Sequence, residues 1–419
     1  MFKPELLAPA GCLSRLKTAC LYGANALYLG GQRYGLRARA DNFTEHELKE
    51  GVRFAHEHNV RIYVVLNAFL HDDDMDRLDE FCEFLESIGV DAVIASDLGV
   101  IRTIRRNCNL EVHLSTQASC LNRYGAQLWK RLGVSRIIVG RELSIEEAGR
   151  IKQESGVGVE MFLHGAMCMS YSGHCTISNF TAGRDANRGG CIQSCRFPYK
   201  QTRLETAGGM GVAEDNTLDN LGEEAHFMSS KDLFGSALLN EFFRYNIDSL
   251  KIEGRMKSAL YLAVTCRTYR KLIDEIASGS LTERSVRDAD EELLRTLNRG
   301  SCEGSLKGPA GRESVYEPFV KDDSKPDMRH ILGTVLETTR DRILLQLKAP
   351  LELGNTLEFL PFRGESISWM VDSMRSIDDV ELQSARQDSV ISLPKTSELV
   401  DVAQFNVVRK SDTTHDDVL

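Results

Sequence analysis

The sequence predicts an α/β protein: a (β/α)8 TIM-like barrel with a long Cys-rich insertion, followed by a small C-terminal antiparallel β-barrel. Three observations predict it. Short apolar runs recur along the first 255 residues, with amphipathic stretches between them. One connection, late in that series, is much longer than the rest and holds four clustered cysteines. Near Arg329 the texture changes to period-two alternation punctuated by Pro and Gly, as in HILGTVLETTRDRILLQLKAPLELGNTLEFL.

The predicted barrel strands are Glu5–Ala8, Ala26–Gly30, Arg61–Leu66, Ala92–Ala95, Glu111–Leu114, Arg136–Val139, Val159–Leu163 and Ser249–Ile252. Helix-like segments lie between them at Glu45–His58, Met75–Ile88 and Asn122–Leu132. Met75–Ile88 sets Leu78, Phe81, Cys82, Leu85 and Ile88 on one stripe. The spacing leaves room for one crossover helix per pair of strands, which implies parallel strands. Eight such units close most naturally into a barrel. An open, doubly wound sheet is the competing topology, but no GxGxxG follows the first strand.

Polar residues and glycines gather just after the strands, where a barrel keeps its chemistry. Ser96, Asp97 and Ser144 fit helix caps. Gln117, Arg141, Glu142 and Arg255 are the candidate catalytic residues, because long charged or amide side chains make poor loop punctuation.

The barrel domain is expected over 1–278, with its insertion at 164–230. Lys257–Ala277 reads as a long amphipathic helix. A linker with one helix near Asp288–Leu297 fills 279–327, the β-barrel runs over 328–410, and a disordered tail occupies 411–419.

Composition narrows the class. No segment approaches the 18 or more apolar residues of a membrane span. Lys3, Pro4 and Glu5 interrupt the N-terminus where a secretory signal needs an apolar core, so a cytoplasmic location is expected. The net charge of −10 argues against general coating of nucleic acid and leaves room for a local basic patch.

Cys168, Cys175, Cys191 and Cys195 follow the spacing Cys-x6-Cys-x15-Cys-x3-Cys. In a reducing compartment such thiols bind metal or react rather than bridge. Zinc suits Cys191-x3-Cys195 but not Cys168-x6-Cys175. A 4Fe-4S cluster accepts wider spacing, and Ser170, Gly173, Gly189 and Gly190 allow backbone N–H groups close to the sulfurs. Unligated core thiols are the third reading.

The same stretch is basic. Arg184, Arg188, Arg196, Lys200 and Arg203 face a single acid, Asp185, with Tyr171, Phe180, Phe197 and Tyr199 interleaved. With His164 at the edge of the insertion, these five cations are the candidate substrate contacts, able to hold a phosphate backbone beside a stacked base. The equal alternative is that they solvate and pack the insertion. Arg102, Arg105 and Arg106 read as an exposed helix face. Neither HExxH nor GxSxG occurs, and His113, His164 and His174 fit structural or supporting roles better than that of a general base.

Taken together, ELLAPAG at Glu5, ALYLGG with YGLRARADNF, HLSTQA at His113, RELS at Arg141, EMFLHGAMCMSYSGHCTISNF at Glu160, RDANRGGC at Arg184 and SKDL with SLKIEGRMKS from Ser230 resemble the peptidase U-32, or collagenase-like protease, family. The resemblance runs in register from the N-terminus to about residue 275, and the alternating region resembles the C-terminal β-barrel of longer members. It implies hydroxylation rather than proteolysis. The branch most similar in length acts in oxygen-independent formation of 5-hydroxyuridine at the tRNA wobble position. Other branches hydroxylate an rRNA cytidine or serve ubiquinone synthesis. The resemblance further implies prephenate as a co-substrate, a 4Fe-4S cluster on Cys168, Cys175, Cys191 and Cys195, tRNA as partner, and a possible protein partner of the same family. A peptidase or a non-catalytic iron–sulfur scaffold are the alternatives. One departure stands out: Phe234 occupies a position where some members carry a cysteine after SKDL.

Overall fold

The computed structural model of the chain describes residues 2–35, 42–200, 224–226, 228–296, 300–311 and 331–411. The expected linker stretch 312–327, the tail 412–419 and Arg203 lie outside them.

Eight parallel strands form the barrel: β1 (Glu5–Pro9), β2 (Ala26–Leu29), β3 (Arg61–Leu66), β4 (Ala92–Ala95), β5 (Glu111–Leu114), β6 (Arg136–Ile138), β7 (Gly158–Ala166) and β8 (Ser249–Ile252). Each pairs with the next in chain order, and β8 pairs with both β7 and β1, so the sheet closes. Glu5 lies opposite Ser249 at the closure. The open-sheet alternative is thereby excluded. Strand interiors are almost wholly buried, as expected of a parallel sheet covered by helices.

β7 is longer than its apolar run. Its last residues pair antiparallel with the short strand Asp232–Phe234, which in turn pairs parallel with Ser301–Cys302. A bulge at Leu163 sets Ile252 opposite His164 where Lys251 faces Phe162. Gly165 completes the irregularity, since its φ is +103° and a Cβ there would lie 2.3 Å from the Glu253 carbonyl oxygen.

The helices follow local signals with two corrections. The helix Glu45–Glu57 begins in a Thr44/Glu47 capping box, and Asn122 caps Arg123–Arg131. The expected helix Met75–Ile88 is two pieces, Asp72–Met75 and Leu78–Ser87, because Arg77 takes a left-handed conformation with φ +63°. The later helix starts at Glu283 on a Thr282 cap rather than near Asp288. Asp97 and Ser144 are caps as expected, whereas the Ser96 hydroxyl bonds the Asn67 carbonyl instead.

The C-terminal region is an antiparallel half-barrel of seven strands over its own core, which includes Leu345, Phe359, Trp369 and Ile391. Its end strands Ile367–Met370 and Arg375–Ser376 are not paired with each other, and the latter is only two residues long. It docks on the barrel through Tyr22, whose hydroxyl bonds the Leu360 carbonyl and accepts from the Val407 amide, and through Arg409 between Glu292 and Glu358.

Candidate functional site at the barrel mouth

Within the barrel, charged residues replace apolar ones at inward positions and stack into a column. At its base the Glu5 carboxylate accepts from Arg61, Arg136, Tyr63 and Ser249. Arg136 also reaches Glu160, at 3.4 Å. Glu160 is fully buried and accepts from the Lys251 ammonium at 2.8 Å. Burial opposes its charge, but Lys251 and Arg136 overcome this and hold its pKa below the usual carboxylate range. Lys251 is thereby fixed near the top of the column, 4.3 Å from the centre of the Tyr28 ring and 5.6 Å from that of Phe162.

Above the column opens a cavity with about 960 Å³ of empty space, its mouth included. Val65, Ile94, Ile138, Tyr28 and Phe162 give it apolar walls. Arg141, Arg196, Lys251 and Arg255 supply positive charge against the single carboxylate of Glu253. Three of the expected catalytic residues, Gln117, Arg141 and Arg255, line it. The Arg141 guanidinium lies 3.9 Å from the Phe162 ring centre, pairs with Glu253 at 3.3 Å, and reaches the Cys168 sulfur at 3.6 Å. Arg255 donates to Asn42 at 2.7 Å, in space that Gly30 leaves open: a Cβ there would lie 2.6 Å from Arg255 Nη2.

Glu142 holds the insertion in place instead of lining the cavity. Its Oε1 accepts from the Ser172 amide at 2.8 Å, while its buried Oε2 has no partner. Gly173 packs directly on the Gln117 backbone, where a Cβ would lie 2.0 Å from the carbonyl oxygen. These contacts seat the segment between Cys168 and Cys175 on the mouth.

Cys168, Cys191 and Cys195 line the same cavity, and Cys175 lies close enough to affect Cys195 electrostatically. Burial pushes the Cys195 thiol up, Arg196 opposes this, and the three neighbouring thiols add to it. All four are free thiols. The donors match a soft metal or cluster in kind. Their spacing is looser than a finished site: among the described residues no three His, Cys, Asp or Glu side chains stand close enough together to share a metal ion.

The expected substrate contacts fare unevenly. His164 cannot meet a substrate directly, because it is fully buried, bonded to the Tyr269 hydroxyl at 2.9 Å and packed against Phe234 and Tyr261. The bulge at Leu163 breaks the strand's alternation and turns His164 toward the helix Ala259–Ser278. Burial pushes its pKa down to about 3. Arg196 is committed to the fold: it donates to the Met167 and Ser230 carbonyls and the Ser229 hydroxyl, tying both ends of the insertion together. Arg188 pairs with Asp74 at 2.8 Å. Arg184 is half-buried, Lys200 is exposed, and so are Tyr171, Phe180 and Phe197. Lys251 and Asn42 were missed by sequence reasoning. The available signal for Lys251 was a lone charge inside the buried strand SLKI.

The chain matches the model of peptidase family U32 over residues 11–315. It is 39% identical over 388 residues to tRNA hydroxylation protein P1 of Bacillus subtilis, covering 92% of this chain and 90% of that one. It is 32% identical over 365 residues to the 23S rRNA 5-hydroxycytidine C2501 synthase of Escherichia coli, covering 85% of this chain and 52% of that one. It is 29% identical over 316 residues to a collagenase of Porphyromonas gingivalis, covering 73% of each.

Proposed function

The chain belongs to peptidase family U32, and from that membership we propose that it hydroxylates RNA, specifically wobble uridine in tRNA to 5-hydroxyuridine. One observation carries the reading: a cationic cavity with apolar walls opens directly beneath clustered thiols at the barrel mouth. The names of two relatives, one concerned with tRNA hydroxylation and one with an rRNA hydroxycytidine, support an RNA base as substrate. The exposed rings of Tyr171, Phe180 and Phe197 suit base stacking at that rim.

Exchanging the C5 hydrogen of uracil for hydroxyl, with water as oxygen source, releases two protons and two electrons. An organic acid with a reducible 2-oxo group, such as prephenate, would take up both. Arg141, Lys251 and Arg255 would bind its carboxylates, since a guanidinium fork matches a carboxylate bidentately. Gln117 would orient the base or the attacking water, and Glu142 would keep the Cys168–Cys175 segment seated. Cys168, Cys175, Cys191 and Cys195 would hold a 4Fe-4S cluster, which supplies one-electron transfer when bound. The chemistry is oxygen-independent and would take place in the cytoplasm, with a second protein of the same family as a possible partner.

The test is nucleoside analysis of tRNA from a deletion strain. Loss of 5-hydroxyuridine derivatives that a plasmid copy restores is expected, and unchanged nucleosides in a strain with no parallel route refute the reading. Anaerobic purification should give iron and sulfide; one equivalent of zinc without sulfide would replace the cluster with a zinc site. The peptidase reading rests on the collagenase relative. Against it, no described histidine is hydrogen-bonded to a serine or cysteine side chain.

A further inference from the structure

An acidic protein that acts on tRNA needs cations free to meet phosphates. The insertion offers few: Arg188 is taken by Asp74, and Arg196 by backbone carbonyls. A second concentration of cations lies on the helices Leu98–Asn107 and Arg123–Arg131. Between residues 98 and 132 the chain carries Arg102, Arg105, Arg106, Arg123, Lys130 and Arg131 against the single acid Glu111.

Partnering separates these groups. Arg123 is paired with Glu154, and Lys130 donates to the Ser155 and Gly156 carbonyls. Arg102, Arg105, Arg106 and Arg131 are exposed and form no ion pair among the described residues. Arg105 crosses from its own helix to the turn after the other: a Cβ on Gly133 would lie 2.9 Å from Arg105 Nε. This contact brings Arg105 to the end of the second helix, close in the chain to Arg131, while Arg102 and Arg106 stand one turn apart on the same exposed side as Arg105. Attraction to the carbonyl ends of the helices accounts for cations in the last turns. It does not account for Arg102, nor for Tyr124 and Leu128, which are 67% and 55% exposed beside them.

The second helix starts beside the mouth and carries Arg131 at its far end. Gly173 of the insertion packs on Gln117, and the Ser119 hydroxyl bonds the Ser172 carbonyl. The helix Arg123–Arg131 begins just beyond, with Tyr124 and Leu128 leading down its exposed side to Arg131. Its length of roughly 14 Å spans about two phosphate steps of an extended strand.

We propose that the outer face of these two helices, through Arg102, Arg105, Arg106 and Arg131, docks the phosphate backbone of the RNA whose base is presented at the mouth. This rests on the reading of the chain as an RNA hydroxylase. It moves the main phosphate contacts off the insertion, which is left to stack and orient the base.

The experiment uses the full chain and unmodified tRNA. Affinity is measured across a salt series for wild type, for Arg105→Gln with Arg131→Gln, and for Arg386→Gln, an exposed arginine of the half-barrel. The double variant should bind on the order of tenfold more weakly at moderate salt, with a salt slope reduced by roughly two counterions. Arg386→Gln should bind as wild type. These are surface changes, and an unchanged melting temperature checks the fold. Wild-type binding with no loss in the double variant overturns this inference and leaves the RNA reading standing. No tRNA binding by wild type overturns both. Sedimentation decides the remaining case: if wild type self-associates and the double variant does not, the face belongs to a second copy of the chain.

Discussion

The lumen of the barrel and the insertion over its mouth are built on opposite terms. In the lumen, Lys251, Glu160, Arg136 and Glu5 are buried or nearly so, and each meets an opposite charge. In the insertion, Cys168 and Cys191 are exposed, and no described set of three side chains converges on a metal ion. A buried charge without its partner would cost several kcal/mol, so the column must be complete within the fold. Exposed thiols cost little when left alone, so the insertion needs no partner for them within the fold. The lumen thus carries stability and presents Lys251, whereas the insertion places thiols at the mouth at low structural cost.

The largest effect should come from breaking the column. Glu160→Gln leaves the Lys251 ammonium without its 2.8 Å partner in a buried site. A loss of about 3–5 kcal/mol is expected, or failure to accumulate folded protein. The double change Glu160→Gln with Lys251→Met should recover much of that loss, because it removes both charges. Melting temperatures of the three proteins check this. Equal destabilisation by the single and double changes would show that the pair is not the element that matters.

A second effect belongs to His164. Its folded pKa of about 3 lies below the ordinary histidine value near 6.5. Above pH 6.5 both folded and unfolded forms are neutral there, and the group does not alter stability. Below it the unfolded chain takes up a proton that the folded chain refuses, so stability falls as pH drops toward 3. Between pH 6.5 and pH 5 the loss is about 2 kcal/mol. His164→Asn should show a shallower fall in melting temperature over that window, even if it is less stable at pH 8. A parallel fall in both proteins would assign the acid sensitivity to other groups, such as buried His113, whose pKa burial also lowers.

These residues also show what was legible in the sequence. The barrel was readable because its strands are buried on both faces and so appear as apolar runs. Arg61–Leu66, Ala92–Ala95, Glu111–Leu114 and Ser249–Ile252 coincide with the observed strands. The end of β7 was not readable: His164, Gly165 and Ala166 look like a loop and become a strand only by pairing with Asp232–Phe234. The mouth location of Gln117, Arg141 and Arg255 followed from strand ends alone. The engagement of Arg188 and Arg196 did not, because a sequence displays charge but not partners such as Asp74, 114 positions away. Lys251 was not legible because a lone lysine in an apolar strand does not show which way its ammonium points; its place is set by Glu160, on another strand.

The smallest effect on stability should come from the cysteines. Cys191→Ser replaces an exposed thiol that no described partner fixes in the fold. A change within about 0.5 kcal/mol is expected for the metal-free protein, as for ordinary surface substitutions. The same change should lower bound iron and sulfide sharply after anaerobic reconstitution, because a cubane needs its corner thiolates. Cys266→Ser, in the buried helix Ala259–Ser278, should do the reverse and cost stability while leaving iron content unchanged. Thermal melts of metal-free protein paired with iron analysis separate the two behaviours. If Cys191→Ser destabilises the metal-free chain as much as Cys266→Ser does, the insertion is a packed structural element like the lumen, and the contrast between the two regions fails.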